Sequence, residues 1–215
     1  MCGRFANHVK DMGRWAEVLG DWPTDVQTSY NIAPDADIAA FTVEGGTSMR
    51  WGLVPAWSKT PSTKYSTFNA RAESLASRPA FRGAWKHDQR CLIPVQGYYE
   101  WQRVNGKKQP FYISSPGGEP LVCAGLWDQW GEGREQFRSC AMITCPAIRS
   151  ISAIHPRMPL LMELEYADLW LQGEAGKCAG ILQREPEAEL SYYRVSQLVN
   201  NSRNQGADIL TPVED

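Results

Sequence analysis

The chain has 215 residues, with 22 basic against 24 acidic side chains, a formal charge of −2 and 43% hydrophobic residues. That balance excludes a disordered or coiled-coil chain, and no apolar run approaches the ~18 residues of a membrane-spanning helix. At roughly 100–200 residues per domain, the length fits one large domain or two small ones.

The opening Met-Cys-Gly-Arg-Phe-Ala-Asn-His has no basic stretch leading into an apolar one, so no secretory signal is expected. Residues 8–19 place Val9, Met12, Trp15, Ala16 and Leu19 on one face with Asn7 as N-cap, which predicts an amphipathic helix. Residues 38–44 and 48–53 read as strands joined at Gly45-Gly46. Helices are predicted over 69–76 and 79–87, divided at Pro79, and a strand over 90–95. Strands 98–104 and 109–114 flank Asn105-Gly106, a pair that tolerates the positive φ of a tight hairpin. Strands 121–130 and 136–144 flank Gly131-Glu132-Gly133, followed by a helix over 163–171 and a strand over 192–198. Hairpins dominate and no βαβ period appears, so the sheet is expected to be mainly antiparallel. No linker-like stretch divides the chain, which favours one domain over residues 1–215.

Charge is unevenly distributed. Residues 50–108 hold six Arg and five Lys against Glu73, Asp88 and Glu100, a surplus of +8 that leaves −10 for the remainder. The same stretch carries Trp51, Trp57, Tyr65, Phe68, Phe81, Trp85, Tyr98, Tyr99 and Trp101. Basic groups interleaved with aromatic rings suit a single-stranded nucleic acid, with phosphates on the charge and unstacked bases on the rings. An ordinary basic face over an aromatic core gives the same pattern. The acidic remainder points to modest affinity that falls with salt.

Six cysteines, at 2, 91, 123, 140, 145 and 178, form no C-x-x-C pair, and the histidines at 8, 87 and 155 are scattered. No zinc site is expected from such spacing, and the last five cysteines sit in apolar contexts as small buried hydrophobes. Reduced thiols fit a cytoplasmic protein, nucleoid-associated if bacterial.

Cys2 differs, because methionine before a small residue is commonly removed. Removal puts an α-amine (reference pKa ~7.7–8.0) and a thiol (~8.5) on one residue. Such a 1,2-aminothiol traps aldehydes: the amine forms a Schiff base and the thiol closes on the imine carbon to give a thiazolidine. The trap needs a carboxylate to shuttle protons, hydrogen bonds that orient the amine, and an acid to open a cyclic sugar. Glu100, alone among acids between Asp88 and Glu119, is either a surface strand residue or that carboxylate. His155, beside Pro156 and Arg157, is either structural or the acid. Asn69 reads as a helix N-cap, with Arg71 in the same turn able to reach a phosphate.

The motifs Met-Cys-Gly-Arg-Phe at 1–5, Tyr-Asn-Ile-Ala-Pro at 30–34 and Arg-Trp-Gly-Leu-Val-Pro-Ala-Trp at 50–57 resemble the SOS-response-associated peptidase (SRAP) family. So do Phe-Asn-Ala-Arg-Ala-Glu at 68–73, Arg-Cys-Leu-Ile-Pro at 90–94, Gly-Tyr-Tyr-Glu-Trp at 97–101, His-Pro-Arg-Met-Pro at 155–159 and Val-Asn-Asn-Ser-Arg-Asn-Gln-Gly at 199–206. The resemblance implies a β-rich α+β single domain, with antiparallel barrel-like sheets surrounded by helices and a basic cleft for single-stranded DNA. It implies recognition of abasic sites, whose ring-opened sugar exposes an aldehyde, by a covalent thiazolidine at Cys2 after Met1 is lost. By motif, Cys2 is the nucleophile, Asn69 hydrogen-bonds near the amine, Glu100 transfers protons and His155 acts on the sugar hydroxyl. Arg4, Arg71 and Arg157 contact phosphates, Pro34, Trp51 and Trp57 shape the cleft, and Thr144 is a polar cleft position. The family name reflects a proposed self-removal of Met1 by the same four catalytic residues, and a Schiff base would also permit β-elimination, a lyase side activity. No metal or other cofactor, no membrane and a monomeric state are expected. Two alternatives stay open: a thiol peptidase acting on other proteins, with Cys2 and His155 as nucleophile and base, and a non-catalytic single-stranded nucleic-acid module.

Overall fold

The computed structural model describes residues 2–104 and 106–213. Its strands are β1 (Phe5–Asn7), β2 (Ser29–Ile32), β3 (Asp37–Thr42), β4 (Gly45–Trp51), β5 (Asn69–Arg71) and β6 (Arg90–Val95). They continue with β7 (Gly97–Val104), β8 (Lys107–Ser114), β9 (Leu121–Trp130), β10 (Phe137–Pro146), β11 (Arg157–Pro159) and β12 (Ser191–Arg194). The α-helices are short: α1 (Ala16–Leu19), α2 (Arg82–Lys86), α3 (Ala167–Gln172) and α4 (Ala175–Cys178). The fold is the β-rich α+β arrangement expected from the sequence.

Five strands close on themselves. β10 pairs β4, β4 pairs β3, β3 pairs β6, β6 pairs β9, and β9 returns to β10. Closure removes the exposed edges of these strands. β10 is long enough to outrun the ring: its C-terminal half takes β5 alongside in parallel and β11 antiparallel. The second sheet has five strands in the order β12-β8-β7-β1-β2. All its pairings are antiparallel, as are those of the ring except β10 with β4. A contiguous apolar cluster contains Phe5 and Tyr98 from the second sheet together with Trp51, Leu92 and Met142 from the ring. Each fully buried large side chain in it is worth roughly 1.5–3 kcal/mol, so the two sheets are held face to face along this seam.

Several expected elements change. Residues 8–12 are not helical; only a 3-10 turn, Gly13–Trp15, and α1 form. Gly13 takes φ 49°, a left-handed conformation that interrupts a helix, while Met12, Trp15 and Leu19 still turn inward. Residues 69–76 are not a helix either: Asn69 lies in β5, and turns follow. Of the predicted helix 79–87, only α2 forms. Gly45 and Gly46 belong to β4, and the turn falls on Val43-Glu44, since Thr42 pairs with Gly45. The 163–171 helix starts as a 3-10 turn and becomes α3, and the last predicted strand ends at Arg194. The expected hairpin at Asn105-Gly106 is flanked by the pair Val104 and Lys107; Gly106 has φ 78°, and Asn105 lies outside the described residues.

Candidate active site

Where the two sheets meet, four chain segments converge on residue 2. β1 is laid against β7 with Phe5 opposite Tyr98, and the Tyr99 N–H donates to Arg4 O at 2.9 Å. Just before β1, Cys2 lies close enough to Glu100 for that carboxylate to act on its thiol. Cys2 has no exposed surface, and its thiol lies 3.7 Å from Arg4 O. From the ring side, β5 presents Asn69, paired in parallel with Met142 of β10. The Asn69 Nδ2 group donates to Cys2 O at 2.6 Å. His155 ends the loop before β11, and its Nδ1 lies 3.8 Å from Glu100 Oε1. The four residues expected to do chemistry are therefore gathered, although they lie as far apart as residues 2 and 155.

Burial sets the electrostatics. It pushes the Cys2 thiol well up from its ordinary value, and the negative charge of Glu100 pushes the same way. Burial also raises the Glu100 carboxyl, partly offset by His155. A carboxyl held in this way keeps its proton closer to neutrality, which suits a group that must both accept and return one. The imidazole Nδ1 is 3.1 Å from the Arg157 N–H, which donates to a bare Nδ1, and 3.0 Å from Arg157 O, which accepts from an Nδ1 that carries the hydrogen, so the tautomer sets which bond forms.

The expected nucleic-acid contacts divide into exposed and buried groups. Arg71 is exposed at the end of β5, opposite Thr144 in the ladder. Arg157 is engaged: Nη1 and Nη2 meet Glu73 at 2.5 and 3.0 Å, and Nη2 also donates to Thr144 O and Oγ1 at 2.5 and 3.2 Å. Thr144 is fully buried, and its backbone and hydroxyl oxygens accept from Arg157. Arg4 is half-buried and turned inward, its Nη1 donating to Asn31 Oδ1 and Val199 O, both at 2.7 Å. These bonds tie its guanidinium to β2 and to the C-terminal segment.

Trp51 has no exposed surface and its indole N–H donates to Phe68 O at 2.9 Å, so its ring packs within the core. Pro34 is half-buried beside it, since the Asp35 N–H donates to Trp51 O at 2.8 Å. Trp57 is 66% exposed, on a loop fixed by Ala56 N–H to Asp128 Oδ2 at 2.9 Å and Val54 N–H to Ser139 Oγ at 2.8 Å. Of the nine aromatics in the basic stretch, Trp57 and Tyr65 stand out in solvent, and Trp51, Phe81, Trp85, Tyr98 and Tyr99 are core. Arg90 is core as well, donating to Trp170 O, Gly173 O and Asp88. Sequence reasoning missed Glu73 as the partner of Arg157, and it missed that Tyr98 shares a strand face with Glu100. The two-residue alternation of a strand was the signal for the second.

Among the described residues, no group of three or more His, Cys, Asp or Glu is placed to hold a metal ion, and no helix is long and apolar enough to cross a membrane.

A β-barrel seam brings an amide, a carboxylate and an imidazole together around the second residue of the chain. The chain belongs to the SOS response associated peptidase (SRAP) family, whose sequence model matches residues 1–202. It is 30% identical to the abasic site processing protein YoaM of Bacillus subtilis, over 98% of this chain and 97% of that protein. The abasic site processing protein YedK of Escherichia coli is 29% identical, over 99% of this chain and 100% of YedK. HMCES of Xenopus tropicalis, also named an abasic site processing protein, is 30% identical over 99% of this chain and 78% of its own length. A solved structure from Bacteroides thetaiotaomicron shares the fold, with a TM-score of 0.86 at 21% identity over 99% of this chain and 100% of that one.

Proposed function

We propose that this protein processes abasic sites in single-stranded DNA by capturing the ring-opened sugar on Cys2 once Met1 has been removed. The reading rests above all on the Asn69 hydrogen bond to Cys2 O, which fixes residue 2 within reach of the Glu100–His155 pair. The names of the relatives supply the substrate class.

The chemistry balances as follows. The Cys2 amine adds to the aldehyde carbon, and water leaves as the imine forms. The thiol then loses its proton and its sulfur bonds to the imine carbon. The π pair moves to nitrogen, which takes a proton in return, so the product is a thiazolidine and one water. Glu100 carries protons between these atoms, and Asn69 holds the Cys2 backbone. His155 serves the sugar hydroxyl during ring opening. Arg71 and Arg157 take phosphates and Trp57 takes a base face. The same constellation would serve removal of Met1, and the imine stage would permit strand cleavage by β-elimination. The protein acts as a monomer in the cytoplasm, with no cofactor.

Intact mass spectrometry after mixing the protein with a single strand bearing one abasic site is the test. The expected product is a heat-stable species at the mass of protein lacking Met1 plus DNA minus one water, absent in Cys2→Ala. An adduct that persists in Cys2→Ala, or equal affinity for intact and abasic strands with no adduct, overturns the reading, the second outcome in favour of a non-catalytic module.

A further inference from the structure

Two tyrosines follow one another on β7, and the structure treats them differently. Tyr99 points to the smaller apolar cluster of the second sheet, where its hydroxyl donates to Tyr30 O at 2.7 Å. Tyr98 points the other way, on the face that carries Glu100, because strand side chains alternate. Its ring is fully buried in the cluster that also contains Cys2, Phe5, Cys123 and Cys145. Its hydroxyl is buried and has no hydrogen-bond partner among the described residues. A buried hydroxyl without a partner destabilises the fold and calls for a reason.

Cys2 supplies the complementary need. Its thiol contacts Arg4 O, an acceptor, and among the described residues no donor is aimed at the sulfur. Ring closure requires that sulfur to carry negative charge inside the protein, where burial opposes it. Burial, and then the charge of Cys2 itself, hold the Tyr98 proton in place, so the hydroxyl remains a donor across the working pH range. Phe5 of β1 sits directly opposite Tyr98, and Cys2, just upstream of β1, is buried in the same apolar cluster as Tyr98 and close enough for its charge to act on the Tyr98 hydroxyl.

The geometry points to Tyr98 as a further catalytic residue, whose hydroxyl donates a hydrogen bond to the Cys2 sulfur as the thiol loses its proton. This deepens the capture reading above and rests on it for the reaction. The thiol proton goes to Glu100, the sulfur pair forms the bond to the imine carbon, the π pair goes to nitrogen, and nitrogen recovers the proton from Glu100. Tyr98 keeps its own proton throughout; it carries charge, and no atom is transferred to it.

Tyr98→Phe removes the hydroxyl and keeps the ring. Three measurements decide the matter: the melting temperature, the single-turnover rate of adduct formation on an abasic single strand, and the pH dependence of Cys2 alkylation by iodoacetamide, read by peptide mapping without DNA. The expected result is a melting temperature raised by about 2–4 °C, adduct formation slowed about 10- to 100-fold, as for loss of a hydrogen bond to a charged group, and an alkylation profile displaced to higher pH. Affinity for intact single strands stays unchanged. An unchanged rate and alkylation profile overturn the proposal. So does a lowered melting temperature with an unmoved profile, because Tyr98 would then be packing alone. If the wild-type protein forms no adduct, the capture reading fails. The alkylation profile still decides for Tyr98: a displaced profile supports its hydrogen bond to the sulfur, and a coincident one removes it.

Discussion

Arg157 and Glu73 meet in a two-point ion pair, Nη1 to Oε1 at 2.5 Å and Nη2 to Oε2 at 3.0 Å. The hydrogen bond from Arg157 is the main cause holding the Glu73 carboxyl below its ordinary value. A phosphate that uses this guanidinium must therefore share it with, or displace, a carboxylate already seated there. Glu73→Gln is expected to tighten binding of intact single-stranded DNA about two- to fivefold, the scale of a half-exposed ion pair. The gain should shrink as salt rises and the Debye length falls below ~10 Å. Fluorescence anisotropy across a salt series checks it, and weaker binding would mean that Glu73 positions Arg157 instead of competing for it.

Glu100 links rate to stability. Replacing it with Gln is expected to slow adduct formation about 10²–10⁴-fold, the usual contribution of one proton-transfer group, with affinity for intact strands nearly unchanged. Burial raises this carboxyl above its ordinary 4.5, so the folded protein holds the proton to higher pH than the unfolded chain does. The stability it contributes is present below 4.5 and is lost as pH rises from there through the folded-state value. Glu100→Gln should therefore melt close to wild type in acid and above it at neutral pH. Calorimetry at both ends of that window reads the difference, and parallel curves would count against a raised pKa.

The two tryptophans of the Arg-Trp-Gly-Leu-Val-Pro-Ala-Trp stretch should separate cleanly. Trp57→Ala removes an exposed ring and is expected to cost about 1–3 kcal/mol of single-strand affinity, as for one base stacked on an aromatic, with an unchanged melting temperature. Trp51→Ala opens the core and is expected to cost about 3–5 kcal/mol of stability. Binding titrations paired with thermal melts distinguish them; a stable Trp51→Ala protein with weak binding would contradict the burial argument.

Arginines in the basic stretch should likewise sort by depth. Arg71→Ala is expected to lower affinity and flatten the slope of log affinity against log salt by about 0.7, one phosphate contact to a single strand. Arg90→Ala leaves the Trp170 and Gly173 carbonyls without their donor and is expected to destabilise by about 3–5 kcal/mol. Its effect should appear in the melt and leave the salt slope alone.

How much of this was legible depended on how far each signal reached along the chain. β6 and β9 were read at their observed bounds, because each is a long apolar run. β1, β2 and β11 span three or four residues, too short to show a period, and they exist because neighbouring strands complete their hydrogen bonds. Asn69 was read as a helix cap because local chemistry favours that role; pairing with Met142, a partner 73 positions away, makes it a strand residue. Arg90 counted toward a basic surface because charge alone does not reveal depth. Arg157 and Glu73, 84 positions apart, carry no sequence signal for their meeting. The convergence on Cys2 was legible through the ordered motifs, which marked residues that the fold brings together without saying how they touch.

β1 lies between β7 and β2, hydrogen-bonded along both edges, and residue 2 leads directly into it. A nucleotide fastened to Cys2 would pull lengthwise on an interior strand, so tension would be opposed by ladders on either side in shear rather than opened one bond at a time. Mechanical extraction by a motor travelling along the DNA would then have to break both of β1's ladders together before β1 could be drawn out.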